Sequence, residues 1–235
     1  MRDAIEDAAQ HVQDEAAALV ARVKPKLRGW LHLGMAPLAL VGGIVLIALA
    51  QNARGRIGAA VFAVCAVLLF ATSATYHRGR WSPRVEKLLK RADHANIFLI
   101  IAGTYTPFAL CLLPREQATT LLLIVWGGAI GGVLFRVFWV GAPRWLYVPI
   151  YVALGWVAVF YFGPLMKAGG PLVMTLIALG GVLYTLGAVV YGFKRPDPSP
   201  RWFGFHEIFH AFTVLAFAAH YIAASIAVYH PVAGS

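Results

Sequence analysis

Residues 57–77 read IGAAVFAVCAVLLFATSATYH, twenty-one positions without an Asp, Glu, Lys or Arg. A helix needs about 20 mostly apolar residues to cross the hydrocarbon core of a bilayer. This stretch has that length, and it turns polar only at its end, in SATYH. Similar runs recur on both sides. They predict spans over 34–50, 57–77, 92–113, 119–140, 147–165, 171–193 and 205–228. The connections are short and marked by Pro, Gly and charge: QNARGR, RGRWSPRVEKLLKR, PREQA, GAPRW, MKAGG and KRPDPSPRW. Trp30, Trp81, Trp145 and Trp202 fall at span ends, as interfacial aromatics do.

The whole chain agrees. Of its 235 residues, 60% are hydrophobic and only 13% charged. Soluble domains carry roughly 45–50% apolar and about 25% charged residues, so neither a soluble globule nor a disordered chain fits. Ahead of the spans, residues 3–24 repeat apolar side chains at three- and four-residue steps (Ile5, Ala8, Val12, Ala16, Leu19, Val23) and end at Pro25. That pattern predicts an amphipathic surface helix. The N-terminus, MRDAIEDAAQ, is acidic and does not read as a secretory signal. The expected architecture is an all-α integral membrane protein. Residues 1–30 form a cytoplasmic amphipathic helix and arm, and 31–235 a seven-transmembrane helix bundle.

The net charge of +10 sets orientation rather than binding nucleic acid, since the basic residues lie between apolar runs with no basic, aromatic-interleaved stripe. Sixteen fall in the N-terminal arm and in the second–third, fourth–fifth and sixth–seventh connections. Only Arg54, Arg56, Arg115 and Lys167 fall on the other side. Basic loops stay inside, so the N-terminus is expected in the cytoplasm and the C-terminus outside. Cys65 and Cys111 sit within apolar runs and form no zinc motif or disulfide framework.

Polar side chains within a bilayer are costly and mark function by default. His77 closes span two, Asp93 opens span three, and His206 and His210 open span seven. The orientation above puts all four at cytoplasmic helix ends. His206 and His210 are four apart and share a helix face, so both can reach one metal ion. His77 supplies a third nitrogen, which leaves a fourth position open, as in catalytic zinc. Asp93 is placed to orient a water there. Ser73, one turn before His77, is placed to bond the water, a substrate carbonyl or an imidazole. Taken singly, Ser73 could bond its own backbone and Asp93 could cap span three. His94 points about 100° away from Asp93. His220, about 15 Å deeper than His210, is expected to hydrogen-bond within the bundle. His11, His32 and His230 read as surface or interface residues. HEIFH at 206–210 also matches the zincin pattern HExxH, but no acidic residue follows Glu207 to complete an intramembrane protease, and Glu207 is expected at the cytoplasmic interface. Tyr105-Thr106-Pro107 is expected to kink span three over a cavity.

In this order, Ser73 and His77 as SxxxH, Asp93 on the next span, and His206 and His210 as HxxxH resemble the hemolysin III family, which belongs with the progestin and adipoQ receptors. The resemblance runs from about residue 30 through His220. It implies a seven-helix bundle with its N-terminus inside. It also implies a zinc ion held by the residues matching His77, His206 and His210, with Asp93 and Ser73 beside it. For the adiponectin receptors it implies ceramidase-type amide hydrolysis, and for bacterial members membrane-lipid homeostasis. The expected function is a zinc-dependent hydrolase of a membrane-lipid amide or ester in the bacterial inner membrane. The alternatives are a non-enzymatic sensor with structural zinc, or a cytolysin.

Overall fold

The computed structural model describes residues 25–232, so the amphipathic helix expected over 3–24 lies outside the described residues. The described elements are α1 (Trp30–Ala48), α2 (Ala53–Arg78), α3 (Pro83–Leu112), α4 (Arg115–Phe138), α5 (Arg144–Gly155), a 3-10 segment (Trp156–Tyr161), α6 (Phe162–Phe193) and α7 (Phe205–Tyr229). Among the described residues, six helical stretches are long and apolar enough to cross a membrane: α1, α2, α3, α4, α7, and Arg144–Phe193 as one run of 50 residues. The expected fifth and sixth spans are thus joined in a single helical stretch. Straight, it would measure about 75 Å, more than twice the hydrocarbon thickness. It is not straight. Gly170 has φ 75° and ψ 177°, a conformation open to glycine, and Pro171 follows. Arg144 Nη1 donates to the Tyr191 carbonyl at 3.4 Å, and Trp156 Nε1 to Thr185 Oγ1 at 2.9 Å. The two ends of the stretch lie side by side.

The polarity of the bundle suits lipid. Leu38, Val41, Ile44, Leu123, Phe138 and Phe160 point outward and exposed, while Ser73, His94, Asn96, Thr104, Thr106 and Thr213 are buried. The molecule is therefore a multi-pass membrane protein. α2 and α3 approach closely because small residues face their partner. A Cβ on Gly58 would lie 2.8 Å from Pro107 Cα, and one on Gly103 2.8 Å from Cys65 Cβ. Close backbone approach through small residues is how helices associate without a hydrophobic drive. The threonines return their hydroxyl hydrogens to the helix, Thr104 to the Ile100 carbonyl at 2.7 Å and Thr106 to Ala102 at 2.9 Å.

One local expectation changes. α3 begins at Pro83 rather than near 92, with Ser82 at its N-cap, so Asp93 lies inside the helix and caps nothing. Hydropathy marks where a helix enters the bilayer; RVEKLLKR, rich in good helix formers, carries it further into water. α3 stays helical through Pro107, and Tyr105 lines the cavity there and anchors its neighbour. Its hydroxyl donates to the Gly155 carbonyl at 2.5 Å and accepts from the Ala158 amide at 2.9 Å, satisfying backbone groups at the 3-10 segment.

Candidate metal centre

One end of the bundle gathers the starts of α1, α3 and α7 with the end of α2. The N-terminal arm is tied there by Lys26 N–H to the Arg201 carbonyl at 2.9 Å. Gly29 enters α1 at φ 81°, and a Cβ on it would lie 2.8 Å from His77 Cβ. The last turn of α2 therefore sits directly under the arm.

The helical period brings His206 and His210 onto one face, and α2 presents His77 opposite. Ring nitrogens of His77, His206 and His210 all lie within 4.8 Å of one another. His77 Nε2 and His206 Nε2 are 3.2 Å apart. In tetrahedral coordination at zinc–nitrogen distances of 2.0–2.1 Å, ligand atoms are separated by about 3.3 Å. The three imidazoles thus fit a metal ion. Their nitrogens are also the donor type that zinc, copper, iron and nickel accept.

Asp93 Oδ2 lies 3.9 Å from His77 Nε2, and its side chain is 14% exposed. Ser73 is buried and hydrogen-bonds the Asp93 carboxylate. All five residues flagged in the sequence line one cavity of about 1500 Å³, which runs on between apolar walls that include Leu69, Ile101, Phe108 and Met174.

Two residues depart from expectation. Glu207 is not at the interface: it is 1% exposed, forms an ion pair with Arg28, and accepts from the Gly204 amide at 2.8 Å. It is a buried clamp between the arm and the start of α7, with both oxygens engaged, and is not free to act as a zincin base. His32 is not a surface residue either. It is 2% exposed and stacks on His210 with centroids 3.8 Å apart and planes 5° from parallel. Its stacking partner is remote in sequence, so no local pattern marks it. His94 donates from Nδ1 to the Lys90 carbonyl, 2.7 Å away, outside the three-imidazole group.

Comparison with known proteins gives the family. The family model described as "Haemolysin-III related" matches residues 20–221. The chain is 33% identical to "Hemolysin-3 homolog" of Bacillus subtilis (strain 168) over 181 residues, covering 77% of this chain and 82% of that protein. It is 30% identical to "Hemolysin-3" of Bacillus cereus over 196 residues, 82% of this chain and 86% of the relative. Similarity extends to the human "Monocyte to macrophage differentiation factor" at 25% over 189 residues, 79% and 76% of the two chains. The chain belongs to the haemolysin-III related family.

Proposed function

We propose that the protein is a seven-pass, bacterial inner-membrane, zinc-dependent hydrolase acting on an amide or ester bond of a membrane lipid. Its N-terminus is cytoplasmic, residues 1–30 serve as a surface arm and 31–235 as the catalytic bundle. The observation that carries this reading is the juxtaposition of three convergent imidazoles, a carboxylate within 3.9 Å of one of them, and a long apolar-walled cavity. The non-helical Gly170 and the paired ends of Arg144–Phe193 support two passes in that stretch, hence seven in all.

A zinc ion held by His77, His206 and His210 supplies Lewis acidity and an acidified water. The chain's own groups do the rest. Asp93 accepts the proton of the attacking water and returns it to the leaving amine or alcohol. Ser73 holds the Asp93 carboxylate in orientation, as supporting hydrogen bonds do. The apolar walls take the acyl chain and exclude bulk water.

The test is fatty-acid release from a panel of lipid amides and esters by the purified protein. Asp93→Asn should keep the metal and lower turnover by about a hundredfold or more, the usual weight of a general base. Turnover at the wild-type rate in that variant rejects the mechanism. The same imidazoles bridge α2 and α7, which favours a structural metal in a non-enzymatic sensor as the second reading. In that case no lipid is cleaved, while His206→Ala lowers the melting temperature.

A further inference from the structure

The metal cluster uses one end of the cavity. The same cavity reaches His220 and Tyr184, and His220 lies ten residues beyond His210 on α7, about 15 Å along the helix. Gly180 makes the room for it: a Cβ there would collide with the His220 ring. The ring is held edge-on to α6, with Nε2 3.1 Å from the Ile177 carbonyl. A carbonyl only accepts, so in the neutral ring Nε2 carries the hydrogen and Nδ1 is left as an acceptor. Nδ1 is buried and has no partner among the described residues. The Tyr184 hydroxyl, one helical turn from Gly180, is likewise buried and without a partner among them. The two rings are 5.7 Å apart, centroid to centroid. Buried polar atoms are nearly always satisfied. Here an acceptor and a donor stand together unsatisfied, on the wall of the cavity, with Phe108, Met174 and Ile177 among the apolar side chains that share it.

We infer that Tyr184 and His220 form a second polar station that binds a hydroxyl partway along an acyl chain whose polar end lies at the imidazole cluster. The hydroxyl donates to His220 Nδ1 and accepts from the Tyr184 hydroxyl. The ligand class is a mid-chain hydroxylated lipid, and the spacing suits a hydroxyl about a dozen carbons from the end held at the cluster. The inference rests on the cavity's being a lipid site, and not on hydrolysis.

The experiment is competition of stearic acid and 12-hydroxystearic acid against a fluorescent fatty acid on the full-length protein in nanodiscs; neither acid has a bond to be hydrolysed. Two hydrogen bonds at about 0.5–1.5 kcal/mol each predict roughly tenfold tighter binding of the hydroxy acid. Tyr184→Phe, which removes one atom, and His220→Phe should both bring that ratio towards one. The melting temperature of each variant, measured beside the parent protein, certifies its fold. Equal affinities for the two acids in the wild-type protein overturn the hydroxyl station and leave the lipid site standing; a water filling both bonds gives this result. A preference that survives both substitutions also overturns the assignment. Failure of either acid to bind overturns the lipid site and this inference together.

Discussion

At the scale of single residues, HEIFH divides its labour. His206 and His210 turn toward His77, and Glu207 turns toward Arg28. Removing one partner of a buried ion pair leaves an uncompensated charge and costs roughly 3–5 kcal/mol; this pair is only partly shielded on the arginine side, so about 3 kcal/mol is expected. Glu207→Gln should therefore lower thermal stability without removing the metal, read by thermal melting and metal analysis on the same sample. Loss of turnover with full stability and metal would instead restore Glu207 as a base. The three clustered histidines, and Ser73 and Asp93 as separate candidates beside them, were legible in the sequence because each rests on a helical period or a span end; that Ser73 turns to Asp93 was not. His32 and the Arg28–Glu207 clamp were not. Their partners meet only when α1 docks on α7, a contact with no local signature.

At the scale of elements, the site depends on α2 lying against α3, because His77 and Ser73 come from one and Asp93 from the other. Gly58 and Gly103 permit that approach. Gly58→Val should force Pro107 away and destabilise the protein by about 1–3 kcal/mol, the range for overpacking. Thermal melting in detergent checks this, and a neutral result would mean that the helices are less closely packed than described. Hydropathy located the elements well because it senses the bilayer. It misplaced the start of α3 because a helix does not end where the lipid does. It also set the fifth and sixth spans apart at MKAGG, where the backbone does leave the helical region at Gly170, but it gave no sign of the 3-10 segment at Trp156–Tyr161, since hydropathy does not distinguish one helical hydrogen-bond pattern from another.

At the scale of the whole molecule, basic residues crowd the end that holds the imidazoles, with Arg78, Lys90, Arg144 and Arg201 all on connections at that end. The distribution predicts that this end faces the cytoplasm. A single cysteine in place of Ser82 should react with an impermeant thiol reagent only in inside-out vesicles, and one in place of Asn52 only in right-side-out cells; the reverse pattern would invert the topology. Such labelling requires Cys65 and Cys111, both buried, to stay silent in the parent protein.

Everything proposed for this site requires a metal held by three imidazoles from two helices. Elemental analysis of the purified full-length protein, beside His206→Ala, is the decisive measurement. About one zinc per chain is expected in the parent protein and none in the variant, with Asp93→Asn retaining it. Metal-free parent protein after purification without chelator and with zinc supplied, or an unchanged zinc content in His206→Ala, would contradict it.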